Sequence, residues 1–213
     1  MLPHDRKDRV GQSVRDVRMD IAVIGTGFIG ETLGRSLADA GHHIIFGSRH
    51  PDDEDIARGS PATVGSVADA LAATDVIILA IPGPAVPDFV AANEDALAGK
   101  LVIDATNRMD EPVANSRAAL PPTVRYARAF NTLGGENMAD PVFDDGPADM
   151  FFSADESDRE TVEAVIEGVG LHPVYVGVDE EAIIDCLFRL WVALALKQGR
   201  GRRLALRLLQ RPV

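Results

Sequence analysis

The sequence predicts a Rossmann-type, doubly wound α/β fold with a mainly parallel sheet and a C-terminal helical extension. Three observations carry that expectation. The apolar run Ile21–Ile24 stops at Gly25-Thr26-Gly27-Phe28-Ile29-Gly30, and an amphipathic stretch Phe28–Ala40 follows. A second apolar run, His43–Phe46, then ends at Gly47-Ser48-Arg49, which completes a strand–helix–strand unit of about 30 residues. Further continuous apolar runs at Val76–Ile81, Leu101–Ala105 and Val124–Ala129 alternate with helical patterns, as parallel strands buried on both faces do.

Each glycine of the first turn has a physical task. Gly25 permits the turn off the strand, Gly27 lets the backbone approach a pyrophosphate, and Gly30 brings the helix close to the sheet. The helix starts near Thr26–Phe28, so its unpaired N–H groups and positive dipole end face the phosphates. A lone G-x-G-x-x-G is a weak signal. Here it follows a strand and opens a helix, the context that gives it weight.

The end of the second strand selects the cofactor. NAD-binding versions carry an Asp or Glu about 20 residues on, for the ribose 2′-hydroxyl. This chain has Ser48 and Arg49 there. A hydroxyl and a guanidinium suit a 2′-phosphate, which favours NADP(H) over NAD(H). The competing reading makes Arg49 a solvated surface residue. The acidic run Pro51–Asp55 behind it weakens a phosphate site unless it points away.

Composition narrows the class. At 213 residues the chain can build one α/β domain with a real core. A net charge of −12 argues against nucleic-acid and anionic-membrane partners. Lysine occurs only at Lys7, Lys100 and Lys197, a bias that suits a GC-rich genome or a high-salt cytoplasm equally. Cys186 is the sole cysteine, which excludes an intrachain disulfide and a cysteine-based metal cluster; its apolar neighbours make it a small core residue before a catalytic thiol. No apolar run reaches the length of about 18 residues that spans a bilayer. Residues 1–18 are polar and mildly basic without a signal-peptide centre, and read as a disordered tail before Met19. The expectation is a cytoplasmic, single-domain protein over 19–213.

In chain order, Pro51–Ser60 reads as a loop or short helix, Ala62–Val64 as a short strand, and Val67–Ala73 as a helix capped by Ser66. The Val76–Ile81 strand stops at Pro82-Gly83-Pro84, where missing N–H groups end any ladder. Ligands bind outside the carboxyl ends of such strands, so Ala80, Ile81 and Pro82 are expected against the cofactor. Val86–Leu97 reads as a helix. Asn107 follows the next strand, either as an amide holding the cofactor or as an Asx turn. Residues 110–122 carry three prolines and read as a loop. After Val124–Ala129, the segment Ala129-Phe130-Asn131 offers an apolar wall and an amide to a ring. Gly134-Gly135 admits another ring or starts the next turn.

Strand Asp149–Ser153, helix Glu156–Val169 with capping chemistry in Ser153–Asp158, strand His172–Val178 and helix Asp179–Lys197 complete the pattern. His172, at the start of a strand, is placed away from chemistry. The last helix carries more apolar surface than one stripe needs, which points to a homodimer through the C-terminal helices (about 179–209) or to a cover for the cleft. The basic amphipathic end Arg202–Arg211 is assigned to intrachain or subunit packing.

With these pieces in place, the chain resembles the coenzyme F420-dependent NADP oxidoreductases. The matching segments are Ile21–Gly34, Gly47-Ser48-Arg49, Val76–Pro82, Asp104–Asn107, Ala129-Phe130-Asn131-Thr132, and Gly168–Gly177 with the helix after it, so the resemblance covers nearly everything from Met19 to Leu209. The resemblance implies that Thr26, Phe28, Ile29, Ser48 and Arg49 line the NADP site. It also implies that Ala80–Pro82 and Ala129–Asn131 meet the nicotinamide and the deazaflavin of coenzyme F420, the co-substrate. The family often has a further basic residue after Gly-Ser-Arg, where this chain has Asp52–Asp55. Hydride transfer between two stacked rings needs alignment more than an acid, base, nucleophile or metal from the protein. Two other readings remain open at this stage: an NADP(H)-dependent reductase of a small imine, ketone or metal acceptor, and a non-catalytic NADP(H)-binding redox sensor.

Overall fold

A computed structural model of the chain describes residues 18–52, 55–109 and 114–211. All but one residue of the tail read from the sequence therefore lies outside the described residues. The first half winds β1 (Asp20–Ile24), α1 (Phe28–Asp39), β2 (His43–Ser48), β3 (Thr63–Ser66), α2 (Val67–Ala73), β4 (Val76–Leu79), α3 (Val86–Leu97), β5 (Leu101–Asp104) and β6 (Arg125–Arg128). The second half adds α4 (Gly135–Ala139), β7 (Val142–Phe143), β8 (Gly146–Pro147), β9 (Asp149–Ala154), α5 (Arg159–Gly168), β10 (His172–Gly177) and α6 (Glu181–Val192).

The main sheet has eight strands in the order β10-β9-β6-β5-β4-β1-β2-β3. Strands β1 to β6 are parallel, with Ile24 beside both Gly47 and Leu79. Apolar side chains leave the sheet on both faces, as the continuous runs require. On one face Leu33, Leu37, Phe46, Phe152 and Ile166 form the core under α1 and α5. On the other, Ile24, Leu71, Ile77, Leu79 and Leu97 form it under α2 and α3. The doubly wound α/β class is what the chain adopts.

Local chemistry sets several boundaries. Ser66 Oγ accepts from the Asp69 N–H at 3.1 Å and caps α2. Gly34 admits the Phe46 ring, because a Cβ there would stand 2.4 Å from it. The loop after β2 is pinned to α1 by Arg35, which donates to the carbonyls of Ile56 (3.1 Å) and Arg58 (2.8 Å).

Expectations for the edge that holds His172, the α5 cap, the C-terminal helix and Cys186 are corrected. Strand β9 runs antiparallel to β6, with Ala127 opposite Ala154, and β10 runs parallel to β9. The start of β10 therefore cannot be assigned to the far edge by a parallel pattern; His172 instead pairs with the Asp149 carboxylate at 2.9 Å. Asp158 stands at the N-cap of α5 without capping it, because its carboxylate is turned to Arg125. The C-terminal end is not helical to 209. Helix α6 continues as one wider turn, Ala193–Lys197, and stops where Gly199 (φ +67°) and Gly201 (φ +86°) enter left-handed backbone.

The remaining chain folds back as a strap. Asn137 Nδ2 donates to the carbonyls of Arg202 and Leu204, Trp191 Nε1 also donates to Leu204 (2.8 Å), and Arg202 pairs with Glu136 at 2.6 Å. Cys186 is exposed rather than in the core. The buried stripe of α6 is Ile184, Asp185, Phe188 and Trp191, and position 186 faces away from it.

Candidate functional site

The carboxyl ends of β1, β2, β4 and β5 bring the sequence-predicted turn residues together. Gly25 takes φ +115°, and a Cβ there would stand 2.5 Å from the Ala80 carbonyl. The turn thus seats directly on the end of β4, where Ala80 N–H donates to the Ile24 carbonyl at 2.8 Å. Gly30 presses against the turn itself, because a Cβ would stand 1.9 Å from the Gly25 carbonyl oxygen. A Cβ there would also stand 3.4 Å from Val23 Cγ1 of β1, so Gly30 and Gly34 both bring the helix close to the sheet.

Gly27 differs from both. Nothing lies within 4 Å of a Cβ built on it, although it is the N-cap of α1. No side chain caps that helix start, so the N–H groups of its first turn face an open cradle beside Thr26. This arrangement fits a pyrophosphate: free N–H donors, a positive dipole end and no side chain in the approach.

At the end of β2, Ser48 is buried and its Oγ accepts from the His50 N–H at 2.9 Å. Arg49 is exposed and makes no hydrogen bond or ion pair with the described residues. Asp55 in the following loop is paired with Arg58 at 3.0 Å. Arg49 follows the end of β2, the strand beside β1 and its cradle, its guanidinium has no partner among the described residues, and one acidic neighbour is already neutralised by a base.

Phe28 is 57% exposed at the start of α1, and its ring lies over Gly135, where a Cβ would come within 2.6 Å. Ile29 packs against the same glycine. The ring admitted by Gly134-Gly135 is therefore the chain's own: Phe28 at Gly135, and Trp191 at Gly134, 3.1 Å from a Cβ there. Ile81 and Pro82 continue from β4 along the mouth, Pro82 in solvent and Ile81 half-buried.

The wall expected from Ala129, Phe130 and Asn131 is corrected. Ala129 is fully buried, and Phe130 and Asn131 are 1% exposed. Phe130 holds left-handed backbone at φ +64° with its ring in the core, and its N–H points to Met150 Sδ at 3.1 Å. An aromatic ring exposed at the mouth is that of Phe28, packed on one side over Gly135.

What the sequence reading missed is the buried network beneath this mouth. Arg128, fully buried at the end of β6, donates through Nη2 to Asp185 Oδ1 at 2.9 Å and through Nε at 3.1 Å. It also donates to the carbonyls of Asp104 (3.2 Å) and Thr106 (2.5 Å) and to Asn107 Oδ1 (3.2 Å). The Asn131 amide lies against the same guanidinium, whose donors require its oxygen on that side. Asn107 is thus bound into this network, and the Asx-type turn belongs to Asp104, whose Oδ1 accepts from the Thr106 N–H at 2.9 Å. Asp104 Oδ2 accepts from Ser116 N–H (2.7 Å) and the Tyr126 hydroxyl (2.8 Å). Burial, and then the Asp104 charge, push the Tyr126 phenol well above the usual tyrosine range. A signal for this network existed: an arginine inside an apolar strand, and an aspartate on the buried stripe of α6.

An open glycine cradle at the switch between β1 and β4 defines the class, a Rossmann-type dinucleotide-binding domain. Comparison with known proteins agrees. Residues 20–108 match the family of NADP oxidoreductases, coenzyme F420-dependent, the family the sequence resembles. A crystal structure of a candidate F420-dependent NADP reductase from Arthrobacter sp. FB24 superposes with TM-score 0.70 at 23% identity, covering 86% of this chain and 96% of that one. A hypothetical protein from Sinorhizobium meliloti superposes with TM-score 0.67 at 29% identity, over 91% and 96%. Among curated proteins, the glycerol-3-phosphate dehydrogenase [NAD(P)+] of Pseudomonas fluorescens is 25% identical over 202 residues, 85% of this chain and 59% of that protein. The chain spans little more than half the length of the curated relatives it matches.

Proposed function

We propose that this chain is an NADP(H)-dependent oxidoreductase that moves a hydride between NADP(H) and a deazaflavin acceptor of the coenzyme F420 type. The observation that carries the reading is the open cradle at Gly27, with Arg49 unpartnered among the described residues at the end of the neighbouring strand, within the segment 20–108 that matches that family. In this reading the first turn of α1 holds the pyrophosphate, and Ser48 and Arg49 hold the 2′-phosphate. Ala80 to Pro82 support the nicotinamide. The nicotinamide supplies or receives the hydride, and the protein's part is to hold two rings in register and keep water out.

The cleft's side chains agree with a reaction of that kind. Lys100 precedes β5, at the opposite end of the sheet from the cradle, and donates to the Thr74 carbonyl at 2.6 Å. A dehydrogenase needing a lysine proton donor at the cleft would have to take it from elsewhere.

The second exposed stripe of α6, with Ile183 and Leu190 at 45% and 44% exposure, supports a homodimer through that helix. No helix among the described residues is long and apolar enough to cross a membrane, and the working location proposed is the cytoplasm. The deciding experiment mixes purified protein, NADPH and oxidised coenzyme F420. Bleaching of the deazaflavin absorbance with matched NADPH consumption is expected. Tight NADPH binding with no turnover would favour a redox sensor instead, and turnover of imines or ketones alone would favour the reductase reading.

A further inference from the structure

Among the described residues Arg108 is a half-buried cation whose donors are only partly used. It lies four residues beyond β5, with its side chain along Gly83: a Cβ on that glycine would meet Arg108 Cγ at 2.6 Å and Nε at 3.4 Å. One donor is engaged, Nη2 to the Gly83 carbonyl at 3.2 Å. Nε is buried and has no partner. Among the described residues no carboxylate pairs with the group, in a chain with 33 acidic and 21 basic side chains. Arg35, Arg58, Arg125, Arg128, Arg159 and Arg202 each have an acidic partner.

A buried N–H without an acceptor is costly, and a guanidinium presents five donors in a rigid fork. An incoming carboxylate or phosphate oxygen satisfies the orphan Nε and draws on the unused Nη1. We infer that Arg108 receives an anionic group of the hydride acceptor and so selects acceptors that carry one. The inference rests on the oxidoreductase reading above.

Sheet order separates this group from the cofactor's own phosphates. Strand β2, with Arg49, lies on one side of β1, and β4 and β5 lie on the other. At about 4.8 Å per strand, β5 stands roughly 10 Å from β1, on the side away from the 2′-phosphate site. The pyrophosphate is served by the start of α1. The nicotinamide half and its reaction partner are left for the β5 side.

Two measurements test this in the full chain. In the first, steady-state kinetics compare coenzyme F420, whose side chain bears a phosphodiester and carboxylates, with the same deazaflavin lacking that side chain. Arg108→Ala is expected to raise KM for coenzyme F420 at least tenfold with kcat within about threefold. It should leave KM for the uncharged deazaflavin and Kd for NADPH within about twofold, and Arg108→Lys should recover part of the loss. Equal losses on both deazaflavins would overturn the inference in favour of a packing role. A matching rise in the NADPH Kd would assign the anion to the cofactor and overturn it as well. In the second, inorganic phosphate and acetate are titrated into NADP+-loaded protein while the Arg108 Nε–H resonance is followed, assigned with Arg108→Lys. A saturating shift with millimolar Kd is expected, and no shift overturns the inference whatever the acceptor is. Wild-type protein that turns over neither deazaflavin sinks the proposed function alone, and the anion titration still decides Arg108.

Discussion

Asp185, on the helix that closes the domain, and Arg128, at the end of β6, form an ion pair of 2.9 Å buried beneath the candidate site. The pair does more than join two charges. Asp185 Oδ2 also accepts from the N–H groups of Ala114 and Asn115, at 3.0 and 3.1 Å, while Arg128 holds the carbonyls of Asp104, which ends β5, and of Thr106 beyond it. One contact thus fastens α6 to both loop segments that frame the β5 side of the cleft.

Removing one partner of such a pair leaves an uncompensated buried charge, which costs about 3–5 kcal/mol. Asp185→Ala is therefore expected to lower stability by about that amount in urea unfolding, with a thermal midpoint roughly 6–20 °C lower for a domain of this size. Asp185→Asn keeps the shape and acceptor oxygen and should lose less. A change below about 1 kcal/mol for the alanine variant would mean that Asp104 and Asn131 carry Arg128 without help.

Arg49 gives the next prediction, at the other end of the cleft. Its guanidinium is exposed and unengaged by the described residues, so its loss should leave the fold intact. A charge-assisted hydrogen bond is worth about 1.5–3 kcal/mol, so Arg49→Ala should weaken NADPH roughly 10- to 150-fold. NADH should be affected less than about twofold. Fluorescence titration with both nucleotides checks it, and equal losses would remove Arg49 from the 2′-phosphate.

How far the sequence reaches is clear from these two arginines. Arg49 is legible because it stands at a fixed offset from a glycine turn whose spacing follows from local geometry. The same locality explains why α3 spans Val86–Leu97 as expected and why Ser66 caps α2. Arg128 is not legible as part of a site. Its partner Asp185 is 57 residues away, and only the closing of α6 over β6 joins them. The inward turn of Phe130 was hidden for a related reason: left-handed backbone at a phenylalanine contradicts local propensity, and core packing decides it. The reversal of β9 escaped a pattern that shows where strands are and not which way they run. Cys186 lies outside the core because α6 has apolar residues on two stripes, and composition alone does not say which one is buried.

Gly27 and Gly30 separate a ligand cradle from a structural contact. Alanine at position 27 meets nothing within 4 Å and accepts the observed φ of −78°. Gly27→Ala should therefore keep its unfolding free energy within about 0.5 kcal/mol. It should also weaken NADPH at least about tenfold, because its methyl fills the cradle. Alanine at position 30 meets the Gly25 carbonyl oxygen at 1.9 Å, and backbone cannot step aside cheaply. Gly30→Ala should lose about 1–3 kcal/mol of stability together with binding. If Gly27→Ala binds NADPH like the wild type, the cradle is not the pyrophosphate site.

Tyr126 carries the pH prediction. Its hydroxyl donates to Asp104 at 2.8 Å, and burial followed by the Asp104 charge hold its pKa well above the ordinary value of 10.0. The neutral phenol is thus favoured in the folded state. Below the unfolded pKa both states keep the proton, and this contribution to stability is fully present. Above it the unfolded chain releases the proton while the folded chain retains it, so stability falls as pH rises toward the folded pKa. Urea midpoints measured from roughly pH 8 to 11 should decline more steeply for the wild type than for Tyr126→Phe, which has no phenol to titrate at that position. The variant should start from a lower midpoint at neutral pH, because Asp104 Oδ2 loses a donor inside the core. The chain has two tyrosines, so the tyrosinate absorbance should rise in separate steps, with the Tyr126 share appearing only on unfolding. Parallel declines in wild type and variant would show that Tyr126 titrates freely and that the Asp104 contact does not hold in solution.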